Sequence, residues 1–178
     1  MRKRGKWMAV AALIVALPFL ALACAELQRL TGAAPKGPKM PPPEGKAVLT
    51  YLTETAPYGK YQYWPGKLGL YKGQHPHGAW LTLTVNDTAL AALKKGAKVF
   101  PAGSIIAKEN YTPDEKLDSL TVMYKAKGFD PEHNDWFWAK YNYAQGKFAV
   151  AAAGKVPGCI KCHELVENLD YVYNLKGK

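Results

Sequence analysis

Cysteine is scarce, three in 178 residues, which excludes a disulfide-dense scaffold. Acids are also few: Asp and Glu number 14 against 24 Lys and Arg, a formal charge of +10. No run of five or more bases occurs, so the excess does not read as a nucleic-acid arm. No repeat period of roughly 20 to 50 residues appears, which removes solenoids and propellers. One long uncharged run occurs, Trp7 to Ala25, too little for a polytopic membrane protein. With 48% hydrophobic and 21% charged residues, the chain reads as one globular domain with additional segments.

The first of those segments is an export signal. Arg2, Lys3, Arg4 and Lys6 precede the uncharged run, and Ala21-Leu22-Ala23 supplies the small residues of a cleavage site. Residues 1–23 are therefore expected to be removed and the mature chain to reside in the periplasm. Cys24 offers a second outcome, a lipid anchor on the new N-terminus. Without residues 1–23 the charge falls to about +6, which in an exported protein points to an acidic redox partner or a solvated surface rather than to nucleic acid. Residues 24–46, with Pro35, Pro38 and Pro41-Pro42-Pro43, read as a stiff linker, and residues 47–178 as the domain.

Inside the domain, Val48, Leu49 and Leu52 make one apolar face of a short helix ended by Pro57 and Gly59. An aromatic, glycine-rich loop follows from Tyr61 to Gly73. Trp80 to Val85 alternates as a half-buried strand, with Leu81, Leu83 and Val85 on one side. Asn86 or Asp87 then caps a helix over Thr88 to Lys95. Four further strands are expected at 104–111, 117–126, 135–143 and 147–153, separated by turn residues. The expected class is mainly β (α+β), an antiparallel sheet of four to five strands with short helices.

The chemistry concentrates at Cys159-Ile160-Lys161-Cys162-His163. Two thiols separated by two residues can add to the two vinyl groups of a haem while the adjacent imidazole reaches its iron, which is the c-type attachment signature near the C-terminus. A CxxC redox pair or half a zinc site is the competing reading, but no second cysteine pair is present. The 15 residues beyond His163 contain no Met, so the usual downstream axial ligand of small electron-carrier cytochromes is missing. The four long amphipathic helices of a helical cytochrome c′ are missing as well.

Trp64-Pro65-Gly66, Pro76-His77-Gly78, Val85-Asn86-Asp87, the run Phe100 to Glu109, Asp135-Trp136-Phe137-Trp138-Ala139 and the terminal CxxCH, in this order, resemble the cytochrome P-460 family from about residue 47 to 174. The resemblance implies an antiparallel β subunit paired as a homodimer and one covalent haem c. Members of that family include hydroxylamine-oxidising enzymes and the related cytochromes c′-beta, which bind nitric oxide. Residue by residue, Cys159 and Cys162 match the thioether cysteines and His163 the proximal iron ligand. Lys108 matches the lysine that becomes bonded to the porphyrin rim.

The distal side departs from the family. Hydroxylamine-oxidising members place a carboxylate in the segment before CxxCH, whereas this chain has Val150-Ala151-Ala152-Ala153-Gly154-Lys155. His77 falls about where the family places a distal aromatic. It can donate to a bound ligand, shuttle protons or bind the iron, or else lie on the surface in a turn. His75 and His133 read as surface residues. Glu109 is expected on the strand face opposite Lys108, as an ion-pair or propionate-side group, and Asp130, Glu132 and Asp135 as a solvated loop. Trp136, Phe137 and Trp138 should point to alternate faces. Three functions remain open at this point: a hydroxylamine oxidoreductase, a nitric-oxide-binding cytochrome, and an electron carrier with His163 and His77 both on the iron.

Overall fold

The structure, a computed structural model, describes residues 37–173 and residue 175. The expected export signal, Cys24 and most of the expected linker lie outside the described residues. The folded unit begins at Met40, earlier than the expected boundary at 47. Pro41 and Gly45 supply the reason, since their carbonyls accept from the Tyr124 and Tyr141 hydroxyls at 3.1 Å each. Residues 40–46 are thus bound to the sheet rather than to the linker.

Helix α1 (Gly45–Thr50) widens into a π-helical turn over Tyr51–Thr55. Strands β1 (Gln62–Tyr63) and β2 (Tyr71–Lys72) follow, then β3 (Trp80–Val85), α2 (Asp87–Lys94), β4 (Ile105–Tyr111), β5 (Leu117–Lys125), β6 (Trp136–Ala144), β7 (Lys147–Gly154) and α3 (Pro157–His163). The seven strands form one sheet in the order β1-β3-β4-β5-β6-β7, with β2 beside β1 on the same edge of β3, and all pairings are antiparallel. The five longer strands match the sequence expectation to within one residue at every end. The additional two are two-residue pairings inside the aromatic loop, too short for an alternation to show.

Register decides which side chains share a face. Leu83 pairs with Lys108, Lys108 with Thr121, Thr121 with Lys140, and Lys140 with Ala152, so one row crosses the sheet with these side chains on a common side. The neighbouring row is Val85, Ile106, Met123, Trp138 and Gly154. The first face is packed by α2, α3 and the C-terminal segment, with Trp64, Phe100, Trp136, Trp138, Ile160 and Val172 in its core. The second face holds Ile105, Leu120, Val122, Phe137 and Tyr141 beneath α1 and the π turn, which contribute Val48, Tyr51 and Leu52. As expected, Phe137 parts company with its two tryptophan neighbours. β3 is covered more fully than its alternation implies, because Thr82 is buried as well, its hydroxyl donating to Glu109 at 2.6 Å.

Asn86 joins three elements. Its Oδ1 accepts from Ala89 N (3.1 Å), capping α2, and from Ile105 N (3.0 Å), while its Nδ2 donates to Gly103 O (2.8 Å). Of the two cap residues left open by sequence, the structure selects Asn86. Asn86→Ala removes a cap and orphans a buried N–H, so urea unfolding followed by circular dichroism should show a loss of about 2–4 kcal/mol. Asn86→Asp, which keeps the shared acceptor, should lose less.

Candidate functional site

α3 carries Cys159, Cys162 and His163. Pro157 occupies the first turn, where its missing N–H is not needed, and Ile160 anchors the helix in the first-face core. Spacings of three and four residues place Cys162 and His163 on the helical side that carries Cys159. Both thiols are free, Cys159 half-buried and Cys162 exposed, and burial pushes the Cys159 thiol up.

His163 is held on several sides. Its Nδ1 lies 2.6 Å from the Tyr171 carbonyl oxygen, and because a carbonyl can only accept, Nδ1 carries the proton and Nε2 keeps its lone pair. The Trp138 ring stands 4.7 Å from the imidazole, centroid to centroid, and the Tyr173 ring 5.3 Å, both edge-on. Tyr173 in turn donates its hydroxyl to Cys162 O at 2.6 Å. Burial lowers the His163 pKa, the Tyr171 bond opposes this, and the nearby Lys108 charge lowers it further. The net shift favours the neutral ring, the form an imidazole needs in order to bind a metal.

The Tyr171 carbonyl is aimed by a buried node at Asp170. Both residues take left-handed backbone angles, φ of 55° and 64°. The Asp170 carboxylate is fully buried and receives Lys125 Nζ, Asn134 Nδ2 (3.0 Å) and Phe100 N (2.8 Å), while its carbonyl accepts from Trp136 Nε1 at 2.8 Å. Lys125 also lies 4.6 Å from the Trp136 ring centroid. Sequence reading missed this node, since nothing local marks Asp170 or Lys125.

Lys108 projects from mid-β4 on the same sheet face. It is half-buried, and burial together with the neighbouring Lys67 brings its pKa down to about 8. His77 sits in the loop between β2 and β3, also half-buried. Burial is the main cause that takes its pKa down to about 4, aided by the charges of Lys108, His163 and Lys140 and opposed by a hydrogen bond to Asn110. His77 is thus not a surface turn residue. The loop closes tightly enough to require glycine: a Cβ on Gly78 would meet Tyr111 N and O at 2.6 Å, and one on Gly73 would collide with Gly78 O.

The other expectations divide. Glu109 does face away from Lys108, but it makes neither an ion pair nor a contact on the site's face. Its carboxylate accepts from Tyr58 (3.0 Å), Thr82 (2.6 Å) and Tyr111 (2.7 Å) instead. His75 is exposed as expected, whereas His133 is half-buried, bonded to Asp130 Oδ2 at 2.8 Å and edge-on to Tyr171. Asp130 is completely buried rather than solvated, closed by His133 and by Lys155 Nζ at 2.9 Å.

These groups fit a planar, carboxylate-bearing macrocycle with a central metal. Trp138 Nε1 is buried without a hydrogen-bond partner next to His163, and among the described residues Lys67, Lys108 and Lys140 pair with no carboxylate. Two thiols, a lone pair on Nε2, an unused indole donor and free cations are what such a group engages. The family model described as Cytochrome P460 matches residues 60–174. No curated protein compared with the chain matches it.

Asp170→Ala leaves the Lys125 ammonium buried and unpaired, and urea unfolding should report a loss of about 3–5 kcal/mol. Lys125→Met/Asp170→Asn, which removes both charges, should recover part of that loss.

Proposed function

Because the chain belongs to the cytochrome P-460 family, we propose that it is a periplasmic c-type cytochrome that oxidises small nitrogen species, hydroxylamine foremost. The group would be held by thioether bonds from Cys159 and Cys162 and by His163 Nε2. Once bound, haem supplies an iron position for a nitrogen ligand and a store for its electrons. The observation that carries the reading is His77, a half-buried imidazole held by Asn110 and within electrostatic reach of His163 and Lys108. With a pKa near 4, it has about the basicity of an ordinary carboxylate. It therefore supplies, from a different element, the base missing from residues 150–155. His77 would take up protons from the substrate, and Trp138 and Tyr173 would keep the His163 ring oriented.

Lys108 completes the reading as the amine that would be bonded to the porphyrin rim, as the family resemblance implies: a rim C–H and an amine N–H would give way to a C–N bond, with two electrons and two protons passing to a peroxide-class oxidant. Its pKa near 8 leaves a neutral, nucleophilic fraction at neutral pH. The proposal includes export directed by residues 1–23, a homodimer, and electron delivery to an acidic redox partner drawn by the basic charge.

Protein matured in a haem-c-competent periplasm should keep its haem through acid–acetone extraction, and Cys159→Ala/Cys162→Ala protein should release it. The haem peptide should include Lys108, and Lys108→Leu should lose that third attachment and blue-shift the ferrous band.

Hydroxylamine added to the ferric protein should reduce the haem, and His77→Ala should slow the reduction by about 100-fold or more. Binding of nitric oxide without reduction by hydroxylamine would contradict the reading and leave a c′-beta-like gas binder. The carboxylate-free strand β7 favours that alternative.

A further inference from the structure

The hydrogen bonds around Asn110 determine which nitrogen of His77 carries the proton. Asn110 is buried in β4. One end of its amide faces Lys108 O at 3.1 Å, Ser119 O at 3.2 Å and Thr121 Oγ1 at 3.2 Å; the other faces Gly78 N at 3.4 Å and His77 Nδ1 at 3.1 Å. Two of the first group are backbone carbonyls, which can only accept, and Gly78 N is a backbone amide, which can only donate. The orientation of the amide is therefore decided by main-chain groups alone: NH2 toward the carbonyls, Oδ1 toward the loop. With Oδ1 fixed as an acceptor, His77 Nδ1 must be its donor, and in the neutral ring Nε2 then holds a lone pair. Nε2 forms no hydrogen bond with any described residue.

We propose that Asn110 is a positioning residue that holds His77 in the Nδ1–H tautomer, so that the distal group is a proton acceptor selecting ligands that carry a transferable proton. An imidazole so held takes an O–H or N–H, as hydroxylamine offers, and cannot donate to an oxygen or nitrogen that only accepts, as in nitric oxide or nitrite. This removes one role that sequence left open for His77, donation to bound nitric oxide. The proposal rests on the reading of His77 as facing the bound ligand, and it deepens that reading by naming the class of ligand favoured.

The test uses holoprotein labelled with 15N-histidine, reduced and saturated with carbon monoxide so that the iron is diamagnetic. Long-range 1H–15N correlation at neutral pH reads the protonated nitrogen directly, with His77→Ala identifying the signal. His77 should show a protonated Nδ1 and a bare Nε2, and Asn110→Asp should retain that form. Asn110→Leu should shift the ring toward the Nε2–H form that free imidazoles prefer, and the C–O stretch should fall as an N–H replaces a lone pair near the ligand. An Nε2–H tautomer in the wild-type protein would overturn the proposal, as would an unchanged Nδ1–H form in folded Asn110→Leu. The readout is independent of turnover. Nδ1–H in a protein that hydroxylamine fails to reduce sinks the proposed activity and leaves the tautomer standing; reduction with Nε2–H does the reverse.

Discussion

The hydrogen bond from His163 Nδ1 to the Tyr171 carbonyl is the constraint on which the site depends. It decides that Nε2 is the free nitrogen and holds the ring in one plane. α3 is a single short helix and cannot aim a side chain unaided. The acceptor lies eight residues further on, in a segment whose two consecutive left-handed residues cost energy and persist only when surroundings over-determine them. Asp170 provides that surrounding by spending its carboxylate and carbonyl oxygens on Lys125, Asn134, Phe100 and Trp136. Three of those donors come from the end of β5 and the start and approach of β6. The rigid sheet is thereby connected to the histidine through one buried ion pair and one carbonyl.

The two faces of the sheet do different work. The second face is a conventional core beneath α1, and even its carboxylate, Glu109, is consumed by hydroxyl donors. The first face is apolar toward α2 and the C-terminus but carries Lys108, Lys140, His77 and the unused Trp138 N–H toward α3. The partly desolvated Lys108 ammonium and the orphaned Trp138 donor oppose folding, and proteins keep such groups where a ligand or reaction uses them. Lys108 and His77 both titrate below their ordinary values, with burial the leading cause in each.

The parts legible in the sequence were those with local signatures. Five strands showed as alternations bounded by glycine and turn residues, α2 as a capped apolar pair, and CxxCH as a chemical motif. The ordered blocks carried the family resemblance that the matched region 60–174 supports. What escaped depends on tertiary contacts. Residues 40–46 look like a proline linker, yet two tyrosine hydroxyls hold their carbonyls. β1 and β2 are two residues each and exist because β3 offers an edge. Asp130 and His133 sit in a polar loop whose burial comes from Lys155 and Tyr171. Asn110 and Asp170 are ordinary residues in sequence, and only the register of β4 and the fold of the C-terminal segment give them partners.

The two histidines have similar settings, each with Nδ1 engaged and Nε2 free, and the proposed reading assigns Nε2 of His77 to a substrate and Nε2 of His163 to a metal. The central claim is that His163 alone ligates the iron from the protein while His77 stays off it. The low-temperature electron paramagnetic resonance spectrum of the ferric holoprotein tests this most directly. The account predicts an axial high-spin signal from iron with one histidine ligand and an accessible sixth position. A low-spin spectrum typical of two axial imidazoles, converted to high spin by His77→Ala, would contradict it and make the protein an electron carrier.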